Sequence, residues 1–283
     1  MKRWSWILVL VLLIGVFATG CGKKGNSNEV TVDDTSLTDV QAKGTLVIGC
    51  DDEFPPMGFR NESGEVTGFD IELAKLVAEK LDVEAVVQPI DWKTKEMSLE
   101  SNKIDVIWNG YTIDKERNGK VEYTKPYLNN QQVIVVKADS KINTKADLAD
   151  KIVGVQANSS GLKAIKKDKE FESTLAELKE YDTYPQALLD LTGRTDAVVI
   201  DKILIGYVMT QEPDTYRILD ETMGDEYYGI GCRKSGVALR VAIDDALDEL
   251  MNDGSIEALS TKWFGSNIVI RDVEKLTDED LVE

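Results

Sequence analysis

Two α/β lobes joined by a double chain crossing is the fold class that the sequence predicts, and three observations predict it. From Gly44 onward, short apolar runs of strand length alternate with amphipathic stretches at helical spacing. That order implies a mainly parallel sheet covered by helices on both faces. The alternation restarts after Pro126-Tyr127, and 283 residues fit two lobes of roughly 100 residues better than one. Finally, one phrase is written twice. Asn102-Lys103-Ile104-Asp105-Val106-Ile107 returns as Gly193-Arg194-Thr195-Asp196-Ala197-Val198, each a turn with a basic residue, an Asp, and an apolar run that reads as a buried strand.

In chain order, Lys2 and Arg3 precede an apolar run from Trp4 to Phe17 and then Ala18-Thr19-Gly20-Cys21. This is the layout of an export signal over residues 1–20, and the run is shorter than the roughly 20 residues of a spanning helix. Small residues before Cys21 resemble the lipobox of bacterial lipoproteins, although Ala18 stands where Leu is usual. The resemblance implies a lipidated Cys21; the alternatives are an ordinary cleaved signal with a free thiol and a transmembrane anchor. Residues 21–43 are expected to be this anchor and a flexible tether, since Lys23 to Ser36 is polar and turn-rich.

Lobe 1 is expected over residues 44–128. It has strands at Leu46 to Ile48, Ala85 to Val87 and Asp105 to Trp108, a helix from Phe69 to Leu81 with Asp70 as its N-cap, and a short helix near Lys95 to Ser101. Lobe 2 follows over 129–225, with strands at Ile152 to Val155, Leu178 to Tyr181 and Ala197 to Ile200, and helices from Ser160, Tyr184 and Lys202. A strand at Tyr227 to Cys232 and a long helix carrying Val241, Ala246 and Leu250 return residues 226–270 to lobe 1. The chain therefore crosses near 127–132 and 223–228, and two crossings make a hinge. Residues 271–283 read as a charged tail.

Fifty-one acidic against 33 basic residues give a net charge of −18, which disfavours nucleic acid and anionic lipid as partners. Histidine is absent, removing the usual general base and zinc ligand, so no metal or cofactor is expected. Cys50 and Cys232 end two strand-like runs; they are either bridged or, as the surroundings favour, separately buried.

In open α/β sheets, ligands bind beyond the carboxyl ends of the strands, here after Ile48, Trp108, Val155 and Ile200. One exit carries a cation, Arg117, and another an anion, Asp201. Across a cleft these offer a guanidinium to a carboxylate and a carboxylate to an ammonium, the two charges of an α-amino acid.

The chain resembles the extracellular solute-binding proteins of amino-acid ABC transporters, typified by histidine-, glutamine- and lysine/arginine/ornithine-binding proteins. The resemblance rests on Phe54-Pro55-Pro56-Met57, Gly64 through Gly68-Phe69-Asp70, Asp105 through Thr112 to Arg117, Tyr123 through Tyr127, Val153-Gly154-Val155, Asp196 to Asp201 and Trp263-Phe264-Gly265. It implies the two-lobed periplasmic-binding-protein fold, with Thr112 and Arg117 gripping the ligand carboxylate. Asp201 and the Gly110 carbonyl would take the ammonium, and Ser159 and Ser160 would add donors at a helix start. Phe54 would cover the side chain, Trp108 and Trp92 would supply wall, and Asp51 would sit near the side-chain pocket. Asn158 replaces a glycine usual in that loop. The implied function is capture of a polar amino acid by hinge closure and delivery to permease subunits, by a lipid-anchored, extracytoplasmic, monomeric protein. The rival readings are a dehydratase-like enzyme on the same scaffold, with Asp51 or Glu53 as acid, and a sensory module, disfavoured because no signalling domain follows Glu283.

Overall fold

The computed structural model describes residues 34–272, so the expected export signal and Cys21 lie outside the described residues. Lobe 1 begins with helix α1 (Ser36–Lys43), ended by Gly44 in a left-handed conformation, and strand β1 (Thr45–Cys50). A small antiparallel sheet follows, β2 (Glu53–Phe54), β3 (Gly58–Arg60) and β4 (Val66–Thr67). Next come α2 (Phe69–Lys80) and β5 (Glu84–Pro89), and then a 3-10 turn, Trp92–Thr94, that runs into α3 (Lys95–Glu100). Strand β6 (Val106–Thr112), the four-residue α4 (Lys115–Asn118) and β7 (Val121–Tyr123) complete this part.

Strand β8 (Leu128–Lys137) carries the chain into lobe 2. That lobe comprises a 3-10 turn at Lys145–Leu148, β9 (Ile152–Gln156), α5 (Ser160–Lys167), α6 (Lys169–Thr174), β10 (Glu177–Tyr181), α7 (Tyr184–Asp190), β11 (Ala197–Asp201) and α8 (Lys202–Gln211). The 18-residue β12 (Tyr216–Arg233) leads back to α9 (Val237–Asn252) and α10 (Ser255–Phe264).

The fold is the expected two-lobed α/β architecture. In lobe 1, β5, β1 and β6 are parallel; in lobe 2, β10, β9 and β11 are parallel. The two crossing strands join them antiparallel, giving the order β10-β9-β11-β8-β12-β6-β1-β5, with β7 on β12. β8 and β12 pair with each other from Leu128↔Tyr228 to Lys137↔Tyr216, so both strands belong to both lobes. All seven residues of β6 and all five of β11 are buried, as strands covered on two faces require.

Four sequence expectations are adjusted, and the favoured reading of the two cysteines holds. The tether expected to run to residue 43 gives way to α1 at Ser36, because Asp34 and Ser36 accept hydrogen bonds from the Ala238 and Leu239 amides that open α9. Asp70 is not the N-cap of α2. Gly68 holds that position at φ 135, where a Cβ would lie 2.3 Å from the Met57 carbonyl oxygen, and the Phe69 and Asp70 amides donate to Pro56 and Met57 carbonyls. The return strand starts at Tyr216 rather than near Tyr227, since its first half pairs with β8 inside lobe 2. The charged tail does not begin at Arg271, whose guanidinium is buried against Asp244 and Asp248. Cys50 and Cys232 are free buried thiols, each pushed up to about 12 by burial and nearby acids.

Candidate functional site

The strand ends carry the site. β6 is irregular near its end, where Gly110 adopts φ 55 and donates its amide to Asp70 Oδ2 at 2.7 Å; a Cβ there would lie 3.0 Å from the Phe54 ring and 3.1 Å from the Tyr228 ring. Three residues beyond β6, α4 is capped by Asp114, which accepts from the Arg117 amide at 2.9 Å. This short turn aims Arg117 back over the strand end. Nη1 donates to the Thr112 carbonyl at 3.3 Å, and the guanidinium lies 4.9 Å from the centre of the Tyr111 ring. Nε lies 3.0 Å from Asp114 Oδ2 and 3.3 Å from Glu96 Oε1. Burial works against this buried cation, but Tyr111, Tyr123, Asp114 and Glu96 outweigh it and hold its pKa above the ordinary arginine range.

From lobe 2, β9 supplies Gln156 and the loop supplies Asn158, whose φ of 57 is the left-handed conformation that asparagine tolerates in place of glycine. Ser159 caps α5, accepting from the Leu162 amide at 3.1 Å and donating to the Gln156 carbonyl at 2.7 Å. The Ser160 hydroxyl accepts from Thr112 Oγ1 at 3.2 Å and Gln132 Nε2 at 3.1 Å. At the mouth of β11, Asp201 occupies the N-cap position of α8 without capping it. Its Oδ1 accepts instead from Asn130 (2.8 Å), Gln132 (2.9 Å) and the Tyr228 hydroxyl (2.6 Å).

These ends enclose a small cavity lined by Phe54, Trp92, Gly110, Thr112, Arg117, Gln156, Ser159, Ser160 and Asp201. The lobes are drawn closely together over it, leaving about 10 Å³ of free room. Eight of the ten candidate residues are therefore brought together, with Arg117 from one lobe and Asp201 from the other. Trp108 is not among them: it is fully buried two residues down β6, beneath Gly110 and beside Asp70. Asp51 stands just behind the wall, where it accepts from Gln156 Nε2 at 2.8 Å and the Glu53 amide at 3.0 Å, and burial pushes its carboxyl up to about 6. Trp92 serves twice, lining the cavity and packing edge-on against Tyr111. A larger hollow of about 400 Å³ lies on the flank of the hinge strands, walled by Asn129, Lys202, Asp225 and Glu226 among others.

The lobes touch across the cavity's rim. Arg117 Nη2 and Lys95 Nζ both donate to the Asn158 carbonyl, at 3.2 and 3.1 Å. Asn158 Nδ2 reaches the Lys93 carbonyl at 3.2 Å, Lys93 pairs with Asp182, and the Phe54 and Tyr184 rings meet at 5.9 Å. Lys95, Gln156, Asn130, Gln132 and Glu226 are site residues that the sequence reading missed. Lys95 is fully buried, and burial together with Arg117 pulls its ammonium down to about 7. Glu226 is buried beside Asp201, its Oε1 sharing the Asn130 and Gln132 amide donors and its Oε2 unpartnered. The one signal for this group was alternation: Asn130 and Gln132 on β8, and Glu226 and Tyr228 on β12, are spaced two apart and so share a strand face.

Residues 46–266 match the model of the bacterial extracellular solute-binding proteins, family 3. The chain belongs to that family. Its relatives include the L-cystine-binding protein TcyJ of Escherichia coli strain K12, 32% identical over 259 residues that cover 90% of this chain and 96% of the relative. The glutamine-binding protein GlnH of Bacillus subtilis is 28% identical over 272 residues, 93% of this chain and 97% of the relative. Among solved structures, a histidine-bound substrate-binding protein of an ABC uptake transporter from Streptococcus pneumoniae superposes with a TM-score of 0.82 at 36% identity, covering 85% of this chain and all of that one. As a family 3 protein the chain is of an extracellular class, and these relatives are binding proteins rather than enzymes. Among the described residues no helix is long and apolar enough to cross a membrane.

Proposed function

We propose that this protein captures a free polar α-amino acid between its lobes, without chemistry, and hands it to the permease subunits of an ABC transporter from an anchor at Cys21 on the outer face of the cell membrane. One observation carries the reading: the same enclosed cavity is lined by a buried arginine from lobe 1 and a buried aspartate from lobe 2. The Arg117 fork presents donors to two carboxylate oxygens, and each charge-assisted bond contributes roughly 1.5–3 kcal/mol. Thr112 and the Ser159-Ser160 turn add neutral donors behind it, with the start of α5 favouring negative charge. Asp201 takes the ammonium with the Gly110 backbone beside it. Phe54 and Trp92 cover the side chain.

Closure follows from differential affinity, because the ligand's two charges are satisfied together only when both lobes reach it. The relatives named above bind cystine, glutamine and histidine, and this site takes the same class of molecule. Asp51 is engaged by Gln156 and lies outside the lining, so an amide-bearing or otherwise neutral side chain fits as well as a cationic one. Thermal melting against the twenty common amino acids, L-cystine and L-ornithine tests the proposal. At least one raises the melting temperature in proportion to the logarithm of its concentration; no shift with any of them overturns it.

A further inference from the structure

Asp201 and Glu226 form a buried acidic pair without a counter-charge. Both are nearly inaccessible, and the same two side-chain amides, Asn130 Nδ2 and Gln132 Nε2, donate to Asp201 Oδ1 and to Glu226 Oε1. Two oxygens that share two donors face each other at close range. Among the described residues no lysine or arginine pairs with either. Every group around them is accounted for. From β12 come Tyr228, which donates to Asp201, and Asp225, held by Gln131; from α7 comes the Tyr184 hydroxyl; from α8, Lys202 Nζ donates to Gln131 rather than to either acid. Arg117 faces Asp201 across the cavity but is engaged by Asp114 and Glu96.

Two ionised carboxylates in such a place repel with no cation to offset them, which favours the neutral form of Asp201. Burial, and then Glu226, push the Asp201 carboxyl well above the ordinary carboxylate range, in keeping with this geometry. The pair also connects two spaces, since Asp201 lines the ligand cavity while Glu226 and Asn130 line the hollow on the hinge flank.

We propose that Asp201 and Glu226 hold one proton between them in the empty protein, and that the ammonium of the captured amino acid replaces it, releasing the proton through the hinge flank. The step balances: a zwitterion enters with its carboxylate on Arg117 and its ammonium on the pair, a proton leaves to water, and the pair becomes two carboxylates against one ammonium. Glu226 is thereby a positioning residue that acts through Asp201. This rests on the amino-acid reading above.

The test counts protons. Calorimetric titration at pH 7 in two buffers of different ionisation enthalpy, phosphate and Tris, is run with whichever of L-glutamine, L-arginine and L-histidine gives heat. The wild type releases about one proton per ligand bound, and Glu226→Gln releases less than half as many. No release in the wild type, or equal release in the variant, overturns the proposal. A ligand-free arm separates it from the function itself. The infrared difference between wild type and Glu226→Gln at pH 7 shows the carbonyl stretch of a neutral carboxyl group lost in the variant; its absence sinks the shared proton whether or not any amino acid binds. Heat from none of the three with that band present overturns the exchange, while the shared proton stands and the melting series decides the amino-acid reading.

Discussion

The two charged walls of the cleft are built on opposite plans. On the lobe 1 side, Arg117 comes with its compensation: Asp114 and Glu96 neutralise it and its neighbour Lys95, and Tyr111 covers its face. On the other side, Asp201 is surrounded by neutral donors and a second acid. On one wall cations and anions pair, with Lys163 of lobe 2 also reaching Asp114; on the other, two acids meet no cation among the described residues. The comparison teaches that the fold is short of one positive charge, at the place where an ammonium would sit. On the proposed reading the arginine wall is a docking face whose charges are already paired, and the aspartate wall is completed by its occupant.

Breaking the arginine wall gives the largest effect. Arg117→Ala is expected to cost about 2–5 kcal/mol of affinity, because the ligand carboxylate stays buried without its partner, and calorimetry with near-native affinity would remove Arg117 from the site. On the opposite wall, Asp201→Asn preserves shape but drops a charge-assisted bond, for a loss of about 1.5–3 kcal/mol measured in the same way.

A control acid sharpens the contrast. Asp70, in lobe 1, is also fully buried among neutral donors, the Gly110 amide and the Tyr127 hydroxyl, but it has no second carboxylate; burial pushes it up to about 7 despite those bonds. A carboxyl whose pKa is higher folded than unfolded lends stability that is fully present below the unfolded value of 3.8 and is lost as pH rises through about 7. Urea midpoints should therefore fall between pH 4 and 7 in the wild type, and Asp70→Asn should flatten that slope while leaving the ligand's proton count unchanged. Gly110→Ala forces a side chain into left-handed backbone against two rings, and a stability loss of about 1–3 kcal/mol is expected by denaturant titration. The smallest effect belongs to the rim: Lys93→Ala removes the exposed pair with Asp182, and stopped-flow binding should register only a small change that disappears at high salt.

Much of this was legible in the sequence, for identifiable reasons. Strand and helix alternation gave the lobes, and the motif from Thr112 to Arg117 together with the twice-written phrase gave the cavity's two poles. Trp108, offered as wall although core packing is the favoured reading of a large aromatic there, lies in the core beneath Gly110. Glu226 and Lys95 were illegible because, in an acidic, lysine-rich chain, a charge inside Gly224-Asp225-Glu226 or Lys93-Thr94-Lys95-Glu96 resembles a solvated face. Only the meeting of segments distant in sequence, 130 with 226 and 95 with 158, buries them.

The antiparallel pairing of β8 with β12 makes lobe 2 an insertion whose ends are neighbours. Gln131 lies opposite Asp225 and Asn130 opposite Glu226, a gap that a two-residue hairpin turn spans. Lobe 1 is therefore continuous across that junction in space although the chain leaves it for some ninety residues in sequence.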